Sequence, residues 1–128
     1  MSRRLRRHVE IALPWPPAVL SANSRANRFE RAAAIQQSRA QAKYEAYASG
    51  FEKAAFLDGP IGMTLIFHFP DNRRRDADNC LSRMKAVLDG LCDAFEINDE
   101  RLWPITLKRG QNIAGGRVVI KIGDNHAE

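Results

Sequence analysis

Apolar and polar residues alternate along "HVEIAL", His8 to Leu13, and the alternation predicts a short first strand. "PWPPAVLSANSRANRF" then reads as a long loop, because Pro14, Pro16 and Pro17 bar regular structure. From about Phe29 to Ala48 the chain is rich in Ala, Gln, Glu and Arg, which predicts a helix with Ile35, Tyr44 and Tyr47 as its buried anchors. Gly50 breaks it, and a second helical piece reaches towards Phe56 before the "DGP" turn. In "IGMTLIFHF" the residues Ile61, Met63, Leu65, Phe67 and Phe69 share one face of a strand that Pro70 ends. A second helix runs to about Phe95. The strands "LWPITLKRG" and "GRVVIKIG" close the chain, joined through "QNIAG" as a hairpin. The order β-α-β-α-β-β predicts a small α+β domain with helices packed on a mixed sheet.

Composition adds bounds to this picture. The chain has 128 residues, 45% of them hydrophobic and 27% charged, which fits one globular domain with a real core. No apolar run approaches the roughly 18–20 residues of a membrane span, and no apolar stretch follows the basic N-terminus as a secretory signal requires. The formal charge is +5, but Arg3, Arg4, Arg6 and Arg7 supply four of the 20 basic residues, leaving 16 against 15 acidic ones. The expected organisation is therefore a flexible basic arm over residues 1–7, a folded domain over 8–123 and a frayed tail over 124–128. Cys80 and Cys92 fall within one expected helix, roughly 18 Å apart, too far to bridge. With no CxxC and no Cys/His cluster, zinc lacks a ligand set. Two free thiols suit a reducing cytoplasm.

The second helix carries the chemistry. On a helical wheel Leu81, Met84, Leu88, Leu91 and Phe95 form the buried stripe, and Asp78, Ser82, Lys85, Asp89 and Glu96 form a polar stripe beside it. Arg83 points away from both. In the entry segment "RRRDADN", Asp76 and Asp78 at i and i+2 project to one side of an extended chain. Two such carboxylates repel unless one is protonated or a cation lies between them. Oxygen donors without nitrogen or sulfur suit Mg²⁺ or Mn²⁺. Asp99, in "INDER", is a candidate third ligand, and Arg73, Arg74 and Arg75 would neutralise phosphates beside the ion. That combination suits metal-assisted phosphodiester hydrolysis. The same residues admit plainer roles: Asp76 or Asp78 as an N-cap, Lys85 with Asp89 as a surface i,i+4 pair, Asp99 as a turn cap.

Several ordered segments carry a resemblance. "IALPWPP", "FHFPDNRRRDADN", "MKAVLDGL", "INDERL" and "GGRVVIKI" together resemble the RusA family of Holliday-junction resolvases over about 110 residues. The resemblance implies a homodimeric, Mg²⁺-dependent nuclease of bacterial or phage origin that makes paired nicks across a four-way DNA junction. It implies that Asp76, Asp78 and Asp99 are the metal-binding, catalytic aspartates and that Lys85 is the essential lysine acting at the phosphate. One spacing departs from the enterobacterial prototype. There the lysine follows the second aspartate by four residues, whereas Lys85 follows Asp78 by seven, a longer spacing of a kind that occurs in phage-borne relatives. Without a gap, Ser82 would take its place. The extra length is nearly one helical turn, about 4.5 Å of rise on the same face. The acidic loop also reads Asn98–Asp99 where the prototype has two aspartates.

Two alternatives stay open: a non-catalytic relative that binds junctions, and a general nucleic-acid-binding accessory protein supported by the arginine arm. Among the remaining residues, His68 is a DNA contact or a structural histidine. Trp15 and Phe29 are base-stacking groups or core or dimer packing. Trp103 is expected to pack, and Lys108 and Arg109 either extend the phosphate-binding surface or are solvated charges.

Overall fold

The computed structural model describes residues 8–21, 24–49 and 59–123. The basic arm, the tail and the helical piece expected towards Phe56 lie outside the described residues. The domain is a small α+β fold with three helices and a four-stranded mixed sheet. In chain order the elements are β1 (His8–Pro14), α1 (Arg28–Ala48), β2 (Ile61–His68), α2 (Ala77–Arg83), α3 (Lys85–Phe95), β3 (Leu102–Arg109) and β4 (Arg117–Gly123). Short 3₁₀ turns at Ala18–Leu20 and Asp99–Arg101 lie between them.

The sheet order is β1-β4-β2-β3. β4 runs antiparallel to both β1 and β2, and β2 runs parallel to β3. The expected β3–β4 hairpin is therefore absent: neighbours in sequence, they are separated in the sheet by β2. The connection explains why. Gly110 N–H donates to the Phe67 carbonyl and Ile113 N–H to the Phe69 carbonyl, so the linker is carried across the end of β2. Gly115 and Gly116, both at positive φ, then turn it back between β1 and β2. The apolar "RVVIKI" thus gains a hydrogen-bonded partner on each side.

Register builds one core face. Ile120 lies opposite Ile11 and Leu65, Val118 opposite Leu13 and Phe67, and Ile122 opposite Met63. All these side chains are buried, and β2 alternates buried and half-buried as its period-two pattern predicts.

Two helical expectations are corrected. Ile35, Tyr44 and Tyr47 are exposed, and α1 instead buries Ala42 and Ala46 completely. These small residues let α1 approach α3 at Gly90, where an added Cβ would collide with the Arg39 carbonyl and lie 3.0 Å from the Ala42 Cβ. Asn27 and Glu30 close a reciprocal capping box at the start of α1, at 2.9 and 3.2 Å. The second helix is two helices. At Met84 (φ −93°, ψ −2°) the N–H bonds to the carbonyls of Leu81 and Ser82, a tightening that separates α2 from α3. Cys80 and Cys92 consequently lie on different helices, both buried and unbridged. Met84, Leu91 and Phe95 are buried as expected, Leu81 and Leu88 only half so, and Val87, Cys92 and Ala94 widen the buried arc.

Candidate nucleic-acid and metal site

The segment from Pro70 into α2 is folded by its own charges. Asp71 accepts from the Arg73 backbone N–H at 3.0 Å and pairs with Arg75 at 2.8 Å. The Arg75 hydrogen bond and the Arg73 N–H hold the Asp71 carboxyl down at about 2, well below its ordinary range. Arg75 is thereby turned inward, with 14% of its side chain exposed, while Arg73 keeps 81% of its side chain in solvent. Arg74 is exposed as well. All three line an open cavity of about 930 Å³, bounded on its other sides by Trp15, Pro16, Asp76 and Arg83.

Asp76 occupies the N-cap position of α2 and is extended, yet its side chain makes no cap hydrogen bond. Asp78 lies inside the first helical turn, so the expected period-two relation of an extended segment stops at Asp76. Both carboxylates are exposed, and neither has a hydrogen bond or ion pair among the described residues. Asp99 is exposed on the 3₁₀ turn after α3, where the capping is done by Asn98, whose side chain accepts from the Glu100 N–H. Among the described residues no group of three or more His, Cys, Asp or Glu side chains is gathered closely enough to hold a metal ion.

Lys85 opens α3 and is 73% exposed, with Asp89 at 3.9 Å as its weak partner. With Ser82 and Asp89 it lines a different hollow of about 320 Å³, shared with Leu20, Arg31 and Ile35. The polar stripe Ser82–Lys85–Asp89 thus persists across the break at Met84, on another flank of the helices from the arginine cavity. The two buried thiols mark the two surroundings. Burial raises both, and around Cys80 the charged neighbours are Arg83, Arg75, Arg109 and Asp76. Around Cys92, pushed up to about 11, they are Asp99, Asp89, Asp93 and Lys85. Asp99 accordingly shares the field of Lys85, while Asp76 shares that of the arginines.

Other expectations resolve individually. Arg83 does not point away: it is half-buried, donates to the Pro16 carbonyl and lies 5.8 Å from the Trp15 ring centroid. The straight-helix wheel missed it because α2 ends at that residue. Trp15 packs edge-on against Phe67 and Phe69. His68 is half-buried, its Nδ1–H donating to the Gln111 carbonyl at 2.8 Å. Trp103, expected to pack, is 69% exposed, and Phe29 is 74% exposed under the Arg28 guanidinium. The role of Asp71 was legible in retrospect from "PDNR", an aspartate two residues before the backbone N–H that it accepts from.

No family model matches the chain. Individual relatives do. Crossover junction endodeoxyribonuclease RusA of Escherichia coli strain K12 is 32% identical over 117 residues, covering 88% of this chain and 91% of that protein. The chain belongs to the RusA family. A RusA protein of Enterobacteria phage HK97 is 41% identical over a shorter stretch of 68 residues, 52% of this chain and 54% of that protein. An uncharacterized protein of Xylella fastidiosa strain Temecula1 is 33% identical over 113 residues, 88% of this chain and 74% of its own length. In this RusA-family chain the arginine cavity and the Lys85 hollow flank the same pair of helices.

Proposed function

We propose that this chain is a Mg²⁺-dependent, structure-selective endonuclease that resolves four-way and other branched DNA junctions by paired phosphodiester hydrolysis. The observation that carries the reading is the placement of two unpartnered carboxylates, Asp76 and Asp78, at the mouth of α2, Asp76 lining a cavity walled by arginines. Membership of the RusA family, whose named members include crossover junction endodeoxyribonucleases, gives that placement its chemistry.

The donor chemistry of Asp76 and Asp78 suits the ion, while Asp99 is not gathered with them among the described residues. Carboxylate oxygens suit Mg²⁺, which takes one or two carboxylates and completes its shell with water and phosphate oxygens. The Asp76 oxygens are not consumed by capping. Asp76 and Asp78 would hold the ion, with Asp99 as the third carboxylate implied by its match to the family pattern. Bound there, Mg²⁺ would supply Lewis acidity and an activated water. The chain's own residues do the remainder. Arg74, and Arg73 with 81% of its side chain exposed beside Asp71 at 3.4 Å, present positive charge to the DNA backbone, and Arg75, fixed by Asp71, holds its charge in place before DNA arrives. Lys85 offsets phosphate charge from the adjoining hollow. One chain supplies one carboxylate set, so two symmetric cuts call for a two-fold homodimer.

The test is a nicking assay on a synthetic four-way junction and on linear duplex, each with Mg²⁺ and with chelator. Paired, metal-dependent cuts confined to the junction are expected. Junction binding without cleavage by wild type and Asp78→Asn alike would replace the nuclease with a binding module.

A further inference from the structure

Beyond the arginine run, two more guanidinium groups reach the same place from other elements. Arg83 comes from the end of α2 and Arg109 from the end of β3. Arg75 lies 4.9 Å from the Phe69 ring centroid and 5.7 Å from that of Trp15. Arg109 lies 4.4 Å from Phe69, and Arg83 lies 5.8 Å from Trp15. The two rings are themselves in contact, with centroids 5.3 Å apart. Three cations are therefore stacked on one aromatic pair.

Their charge is poorly offset. Asp71 pairs with Arg75, but among the described residues neither Arg83 nor Arg109 has a carboxylate partner. Arg83 has a buried Nε with no acceptor, and burial, together with the nearby Arg75, lowers its pKa. A fold that gathers three guanidinium groups around the single carboxylate of Asp71, already held by Arg75, has left the counter-charge of the other two to a ligand. Planar forks held on rings are already oriented, so little side-chain freedom remains to be lost on binding. Arg75 and Arg83 border the open cavity of about 930 Å³ that Asp76 also lines, with Arg109 on the Phe69 ring behind it, which suits an extended polyanion passing the carboxylates.

We propose that Arg83 and Arg109, with Arg75, form a backbone-gripping subsite on the Trp15–Phe69 pair that holds DNA phosphates flanking the one at Asp76. The assignment rests on the nucleic-acid reading above and adds residues outside the arginine run. Arg83 and Arg109 are positioning residues, setting the register of the strand rather than touching the scissile bond.

Salt dependence of binding reads the subsite directly, because each phosphate contact contributes about 0.7–0.9 to the slope of log K against log salt. Binding of a labelled four-way junction is followed by fluorescence anisotropy in chelator, between about 50 and 200 mM salt. Arg109→Gln and Arg83→Gln are each expected to weaken binding about tenfold and to lower the slope by about one contact. Arg109→Lys, which keeps the charge, retains the slope. Unchanged slopes in folded Gln variants would overturn the subsite. Circular dichroism melting checks folding, and if Arg83→Gln does not fold, the exposed Arg109→Gln decides alone. The two readings fail separately. A wild type that binds with these arginine-dependent slopes yet never nicks loses the nuclease and keeps the subsite. A wild type that nicks while the slopes stay unchanged loses the subsite and keeps the nuclease.

Discussion

Asp76 holds the position at which an aspartate ordinarily caps a helix, and it leaves the cap unmade. Its value to the protein is therefore not local stability, and Asp76→Asn should leave the thermal midpoint close to wild type. The same change is expected to reduce junction cutting by about 100-fold or more, by analogy with the loss when a metal site's support is removed. Binding should be retained or tightened, because a negative charge leaves a DNA-facing cavity. Nicking rate, binding in chelator and a melting curve on one preparation separate these effects, and loss of binding together with stability would make Asp76 a structural cap after all. Asp71 behaves oppositely, since its carboxyl is consumed by Arg75 and the Arg73 N–H. Its folded value of about 2 lies below the ordinary 3.8, so folding favours the ionised form. That contribution is whole above the ordinary value and is lost as the pH falls through about 2. Asp71→Asn should thus be less stable than wild type by a constant margin above about pH 5, with the margin closing towards pH 2. A margin still undiminished at pH 2 would place its source elsewhere.

Elements were legible where a single period governs them. The alternation in β2 gave its buried face correctly because every second residue meets the same layer. α1 was misread because the expectation favoured large side chains, whereas the crossing with α3 is set by small ones. Ala42, Ala46 and Gly90 bring the helices together, and Arg39 bridges to Asp93 at 2.7 Å beside the contact. Gly90→Ala tests this crossing. Overpacking costs about 1–3 kcal/mol, offset by up to about 1 kcal/mol of helix propensity, so a net loss of about 1–2 kcal/mol is expected in denaturant unfolding. A variant as stable as wild type would show that α1 can withdraw freely. The break at Met84 had no glycine or proline to announce it, and it decides where Lys85 starts α3. The residue types of the candidate site were therefore readable, but their division between the Asp76 cavity and the Lys85 hollow was not. That division depends on which flank of two separate helices each side chain occupies.

At the scale of the whole molecule, the hairpin expectation failed for a reason that also bears on assembly. β4, flanked by turn glycines and rich in Val and Ile, takes a central place, and this displaces β3 to the edge. Register sets Ile105 beside Met63 and Leu107 beside Leu65, so the apolar face of β3 continues the core face of the sheet. Between Leu102, paired with Ile61, and Ile105 the register shifts, and Trp103 in that irregular step and Ile105 both remain exposed on the edge strand. An exposed edge strand bearing a tryptophan and an isoleucine is a surface that native proteins cover. A two-fold partner is the occupant that the paired-cut reading requires, and it would cover both copies of the stripe at once. Sedimentation should then give twice the 14.4 kDa chain mass. Trp103→Glu should shift the protein towards monomer, because it places an unpaired charge in an apolar contact. In the nicking assay that variant is expected to lose coordinated paired cuts before it loses single nicks, since each carboxylate set remains intact in its own chain. A Trp103→Glu protein that stays dimeric would move the interface to another surface, with the aromatic face of α1 around Phe29 and Tyr44 the next to test.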